Sequence, residues 1–144
     1  MGSYVTRTRI AAAPEKVFAA LVAPGNGPAL FTGAERDQVS PPGALKLGSR
    51  LTRRRTVEGT TVEGESTVEV CREGKELVLC GETKGFRIEQ RWVLRADEGG
   101  TKVEYECSIK GSGLAAFMEG MVVEAAEKAD ADHLTRLKGL VEGG

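Results

Sequence analysis

Histidine is nearly missing from these 144 residues: His133 stands alone, and the three cysteines, Cys71, Cys80 and Cys107, form no C-x-x-C. A metal site built from imidazole and thiolate is therefore hard to assemble. An odd and sparse cysteine set is equally unlike a secreted disulfide framework. The thiols read as free side chains packed as small hydrophobes, with the cytoplasm as the expected compartment. Long apolar runs are missing too. The longest, Val17 to Ala23, has seven residues against the roughly 20 that a membrane-spanning helix needs. No integral membrane segment is expected. Charge of one sign is not in excess, since 20 Lys and Arg face 21 Asp and Glu for a formal net charge of −1. Such a chain has no general field to draw in nucleic acid or an anionic membrane. No charged segment followed by an apolar one stands at its start, so no secretory signal is expected. Met1-Gly2-Ser3-Tyr4-Val5-Thr6 matches a myristoylation pattern only loosely, and Thr6 reads as part of a strand.

What the chain does have is a single-domain length, 40% hydrophobic residues, and no linker or repeat, so one domain over 1–144 is expected. Tyr4 to Ile10 reads as a first strand. Pro14 then opens a helix whose Val17, Phe18, Leu21 and Val22 share one face, and Pro24-Gly25 stops it. Residues 24–48 carry four of the five prolines and read as turns, with a helical piece near Pro28 to Phe31 and a strand near Glu35 to Val39. From Ser49 the period becomes two. Strands are expected at Ser49–Glu58, Thr61–Cys71, Glu76–Glu82, Phe86–Arg95 and Lys102–Lys110, with a glycine in every intervening loop. After Gly113 the period is helical to about Val141. Leu114, Phe117, Met118, Met121, Val122, Ala125, Ala129, Leu137 and Leu140 form a stripe broken between Ala129 and Leu137. A helix of that length, at about 1.5 Å per residue, must lie across the sheet to bury the stripe. The fold class is α+β: an antiparallel sheet of six to seven strands, two short helices after strand 1, and a long C-terminal helix.

Register follows from matching apolar positions, because a one-residue slip turns every side chain over. The last hairpin pairs Leu94 with Val103, Trp92 with Tyr105, Gln90 with Cys107 and Ile88 with Ile109. Earlier hairpins pair Leu79 with Ile88, Val70 with Leu77, Val68 with Leu79, Val57 with Val62, and Leu51 with Val68. One face then collects the aliphatics and the other a solvated set from Glu63 to Glu106. The inner face also receives Arg53 and Arg55, opposite the small Ser66 and Gly64. These guanidinium groups either line a space or reach past the sheet edge.

With Thr6 or Thr8, Ser66, Gln90, Trp92, Thr101 and Tyr105 added, the inner face is mixed for a solid core. Small residues, Ala125, Ala126 and Ala129, sit in the middle of the helix above it. Close packing with hydrogen-bonded partners is one reading. A cavity with an apolar wall and a few convergent polar groups is the other, and the 5% aromatic content favours it. His133 falls beside the buried stripe, where it reads as a packing residue more readily than as a catalytic one. Cys107 has no local base and is expected to stay a thiol. No G-x-S-x-G, H-E-x-x-H or P-loop is present. The run Arg50, Arg53, Arg54 and Arg55 alternates between faces and lies near Glu58, Glu63 and Glu65, so it does not form a nucleic-acid surface.

The order of elements carries a resemblance. Ile10-Ala11-Ala12-Ala13-Pro14-Glu15-Lys16-Val17-Phe18-Ala19-Ala20-Leu21 resembles the I-x-A-P-x-x-V-F/W-x-x-L opening of the START/Bet v 1-like (SRPBCC) superfamily, with one residue more between Ile10 and Ala13. Gly48-Ser49-Arg50-Leu51, Glu76-Leu77-Val78-Leu79 and Gly99-Gly100-Thr101-Lys102-Val103 are similar to its later strands. Leu134-Thr135-Arg136-Leu137-Lys138-Gly139-Leu140-Val141-Glu142 is similar to its terminal L-x-x-L-K-x-x-x-E. Within it the chain resembles the polyketide cyclase/dehydrase-like group. Gly113 to Phe117 and Glu124 to Lys128 also look like the members associated with carbon-monoxide dehydrogenase. Heat-shock co-chaperones share the opening but carry a tryptophan near the position of Phe31.

The resemblance implies the helix-grip fold, in which the sheet wraps the last helix. Members bind lipids, sterols, polyketides, plant hormones or quinones between the two, and some are aromatase/cyclases. The expected function is binding of a small hydrophobic molecule, with no cofactor and no metal. A polyketide cyclase/dehydratase-type enzyme is the alternative and a protein-interaction module the third reading; a homodimer is left open. The expected ligand-binding residues are Arg53, Arg55, Ser66, Leu79, Gln90, Trp92, Tyr105, Phe117 and Met121. Arg53, Arg55, Gln90 and Tyr105 would orient the ligand's oxygens. In a cyclase, Arg53 or Arg55 would polarise a carbonyl and Tyr105 would donate a proton.

Overall fold

Three hairpins turn on dipeptides that take positive φ at both positions: Glu58-Gly59, Lys84-Gly85 and Glu98-Gly99. This is the two-residue turn whose twist matches that of the flanking strands. In the computed structural model, which describes residues 2–143, these turns join β3 (Arg50–Val57) to β4 (Thr60–Arg72), β5 (Glu76–Thr83) to β6 (Phe86–Asp97), and β6 to β7 (Gly100–Gly111). The first strand, β1 (Gly2–Ile10), pairs antiparallel with β7, and the short β2 (Gln38–Ser40) pairs with β3. The sheet is seven-stranded and antiparallel, in the order β1-β7-β6-β5-β4-β3-β2. Gly2 and Thr6 of the loose myristoylation pattern lie in β1; its Met1, like Gly144 at the other end of the expected domain, lies outside the described residues.

The register of the last hairpin is as expected, from Leu94 opposite Val103 to Ile88 opposite Ile109. Two other registers move by two residues. Leu51 faces Ser66 and Arg53 faces Gly64, because the turn is Glu58-Gly59 and not Gly59-Thr60. Leu77 faces Trp92 and Leu79 faces Gln90, because the turn is Lys84-Gly85. An even shift leaves every side chain on its face, so the inner and outer sets survive. The exception is a bulge between Val68 and Val70, which sends Val70 outward opposite Val78 and brings Cys71 inward opposite Leu77. One extra residue reverses the alternation beyond it.

Pro14 begins α1 (Pro14–Val22), which buries Val17, Phe18, Leu21 and Val22. A 3₁₀ turn (Pro24–Asn26) and the single-turn α2 (Gly27–Leu30) follow. After β7 the chain is helical from Gly113 to Gly143, as a 3₁₀ turn (Gly113–Met118), α3 (Glu119–Ala129) and α4 (His133–Gly143). The break at Asp130 changes the expected burial. α4 buries His133, Leu134, Leu137 and Val141 against α1, α2 and the sheet, whereas α3 buries none of its residues. Leu114, Phe117, Met118 and Met121 are exposed, not covered. The tighter 3₁₀ turn shifts the phase of the stripe, and α3 settles over β1 and β7 at one side of the sheet, with Val123 against Gly2. The core lies at the α1, α2 and α4 end, around Ile10, Leu77, Leu79, Trp92, Leu94 and Tyr105. No helix among the described residues is long and apolar enough to cross a membrane.

Candidate ligand-binding site

His133 organises the interior. Its side chain is wholly buried, its Nε2 accepts the indole N–H of Trp92 at 3.0 Å, and its Nδ1 lies 3.0 Å from the carbonyl of Leu30. The only arrangement that satisfies both bonds is a neutral ring protonated at Nδ1. Phe31 stacks on it at 4.2 Å, and Tyr105 meets it edge-on at 5.0 Å. Burial drives the imidazole down to a pKa of about 4, outweighing the opposing pull of the Leu30 carbonyl. His133 is a packing residue.

Arg53 and Arg55 both turn inward, and each meets a carboxylate that the sequence pattern does not single out. Arg53 makes two bonds of 2.9 Å to Asp37 and lies 4.1 Å from the Phe31 ring centre. Arg55 reaches Asp130 at 2.8 Å and the carbonyl of Thr32 at 2.9 and 3.1 Å. Tyr4 donates to the same Asp130 at 3.3 Å. Gln90 donates to the Tyr105 hydroxyl at 2.9 Å. Burial raises the pKa of Tyr4 and of Tyr105 well above the ordinary phenol range, and it pushes the Cys107 thiol up to about 11. These groups hold their protons at neutral pH. Thr6 Oγ1 on the same face is buried without a hydrogen-bond partner among the described residues.

The expected residues thus separate. Arg53, Arg55, Gln90, Trp92 and Tyr105 come together, but their polar atoms are bonded mainly to one another, to Asp37, Asp130 and His133, and to backbone carbonyls. Leu79 is core, and Ser66 is half-buried between Leu51 and Gly81. Phe117 and Met121 are 87% and 68% exposed. The protein's own aromatic rings occupy the interior where those polar groups were expected to receive a ligand.

Open space lies instead beside α3. A groove of about 840 Å³ runs between α3 and the end of β3. Met121, Ala125, Ala129, Ala131 and Val57 give it apolar walls, and Glu58, Glu124, Lys128 and Asp132 stand around it with Thr32 and Thr56. Its inner end is fixed by the chain after α2. Gly33, at φ +75°, lies so close to β3 that a Cβ would collide with the Thr56 carbonyl. Thr56 in turn donates its N–H to Gly33 at 2.9 Å, and Ala34 bridges to Arg55. This places Thr32 between Arg55 and Asp132. The strand expected near Glu35 to Val39 becomes that bridge plus β2. Asp37 and Asp130 are the arginines' partners that sequence reasoning misses, although a buried arginine requires a carboxylate, and the interrupted stripe after Ala129 marks where Asp130 lies. Among the described residues no group of three or more His, Cys, Asp or Glu side chains is placed to hold a metal ion.

Comparison with known proteins agrees with this architecture. A family model described as polyketide cyclase / dehydrase and lipid transport matches residues 1–142. Among solved structures, Ara h 8.0201 superposes with a TM-score of 0.77 at 15% identity over 99% of both chains. A START superfamily protein from Mycobacterium smegmatis gives 0.75 at 16% identity, covering 98% of this chain and 97% of that one. The di-domain ARO/CYC BexL of the BE-7585A biosynthetic pathway gives 0.78 at 16% identity, over 99% of this chain and 47% of the di-domain. At these identities the likeness is one of fold. Comparison with curated proteins finds no match.

Proposed function

We propose that this chain, which belongs to the polyketide cyclase / dehydrase and lipid transport family within the START/Bet v 1-like superfamily, binds a small, largely apolar, oxygenated molecule in the groove beside α3. One observation carries the reading. α3 leaves Met121 and Ala125 uncovered over about 840 Å³ of open space, although helices of its length gain their stability from packing an apolar face. That volume is within the roughly 300–1,000 Å³ of small-molecule sites. The polar rim sets the ligand's character. Glu58, Glu124 and Asp132 outnumber Lys128, so a neutral, hydroxyl- or carbonyl-bearing ring system suits it better than a free carboxylate. The residues that hold the site are then Thr32, Thr56, Val57, Met121, Ala125 and Ala129, with the Arg55–Asp130 pair behind them.

The alternative, a cyclase or dehydratase, draws support from the family description. The buried acid–base candidates do not favour it, because both ring nitrogens of His133 are bonded within the core, the Tyr105 hydroxyl is bonded to Gln90, and neither residue lines the groove. Native mass spectrometry and equilibrium titration with a hydroxynaphthoquinone and with hexadecanoic acid test the reading. The quinone should bind saturably and more tightly than the acid. Ala125→Trp, at an exposed position, should fill the groove and weaken quinone binding at least about tenfold while leaving the thermal midpoint within a few degrees. Unchanged affinity in that variant, or no binding of either probe, overturns the proposal. Conversion of the probe instead of its reversible release assigns an enzyme.

A further inference from the structure

The outer face of the sheet, remote from the groove, carries charges that packing does not explain. Register places Arg9 of β1 opposite Lys102 of β7, and Lys102 opposite Arg95 of β6. Three cations therefore stand side by side on three adjacent strands, spanning roughly 10 Å at the usual strand spacing. Like charges placed directly opposite destabilise a sheet. Arg9 is neutralised by Asp97 at 3.0 Å. Among the described residues, Lys102 and Arg95 have neither an ion pair nor a side-chain hydrogen bond. In the next row Arg7 is paired with Glu104 at 3.0 Å. Between these side chains lies a depression of about 520 Å³, with Val93 in its wall. Protection of an exposed edge accounts for cations on β1, the edge strand. It does not account for cations on the second and third strands.

We propose that this depression is a second binding site, specific for an anion bearing phosphate groups. Lys102 supplies a point charge, and Arg95 supplies a planar fork suited to two phosphate oxygens at once. The two unpaired cations stand one strand spacing apart, about 5 Å, which suits one phosphate group, with linked phosphoryl groups or the rest of a headgroup running along the row toward Arg9. The site is independent of the groove, so loss of either leaves the other standing.

Two arms separate the sources of such a group. Inorganic tripolyphosphate is titrated calorimetrically at low ionic strength, and phosphatidylcholine vesicles containing phosphatidic acid are used in co-sedimentation. Saturable tripolyphosphate binding that fades with added salt, and that weakens roughly fivefold in Lys102→Gln and again in Arg95→Gln, supports the site. Co-sedimentation that tripolyphosphate competes away assigns a lipid headgroup, and tripolyphosphate binding without co-sedimentation assigns a soluble ligand. No saturable binding in either arm, or equal binding by the double variant, overturns the proposal. Thermal melting without anion gives a second readout. Removing a repelled charge should hold or raise the midpoint, and a lower midpoint in Lys102→Gln would make the row structural and sink the idea.

Discussion

At the scale of single residues, His133 gives the clearest pH dependence. Its imidazole titrates near 4 in the fold against about 6.5 in an unfolded chain. As acid is added, the unfolded chain takes up the proton first. The contribution to stability is therefore complete above about pH 6.5, falls between there and about 4, and is flat below. The difference corresponds to about 3 kcal/mol. His133→Gln can still donate to the Leu30 carbonyl and accept from Trp92, so it should be less stable at neutral pH yet lose that slope. Urea midpoints measured from pH 7.5 to 4 check this, and parallel slopes for the two proteins would refute it. Asp130→Asn isolates the other buried cluster. It leaves Arg55 without a counter-charge but with its Thr32 carbonyl bonds, for an expected cost of about 2 kcal/mol. Denaturant unfolding measures it; a loss below about 0.5 kcal/mol would show that the pair is dispensable.

Among the elements, α3 and α4 divide what the sequence presents as one stripe. Asp130 ends α3, and its side chain is spent on Arg55 and Tyr4. The next turn then carries His133 and Leu137 into the core. α3 is held by its ends and by one side. Its amide protons should exchange by local opening at least about a hundredfold faster than those of α4, which should approach the global limit. Hydrogen exchange with mass-spectrometric readout decides this, and equal protection would mean that α3 is as firmly seated as the core. A quinone in the groove should slow exchange in α3 and leave α4 unchanged. The strands are legible in the sequence because alternation is strict where one face is solvated. The turns are less so, since Glu58 and Lys84 take a left-handed conformation more common for glycine, asparagine and aspartate. The bulge at Glu69 leaves no signal in the hydrophobic pattern.

Across the whole molecule, the fold can be read from the order of elements and from motifs spread from Ile10 to Glu142. The site can be read only in part. Facing direction follows from parity, which is why Arg53, Arg55, Gln90 and Tyr105 fall on one face. Whether a polar side chain there meets a guest or a neighbour depends on contacts between residues distant in sequence, such as Arg53 with Asp37 and Arg55 with Asp130. Nothing local encodes those distances. The position of α3 is equally non-local, since it rests on β1 at the opposite end of the chain.

Because Leu134, Leu137 and Val141 seal the centre while Met121 and Ala125 seal nothing, tolerance to sequence drift should be uneven along the last thirty residues. Substitutions confined to the exposed side of α3 should reshape the groove with little danger of unfolding.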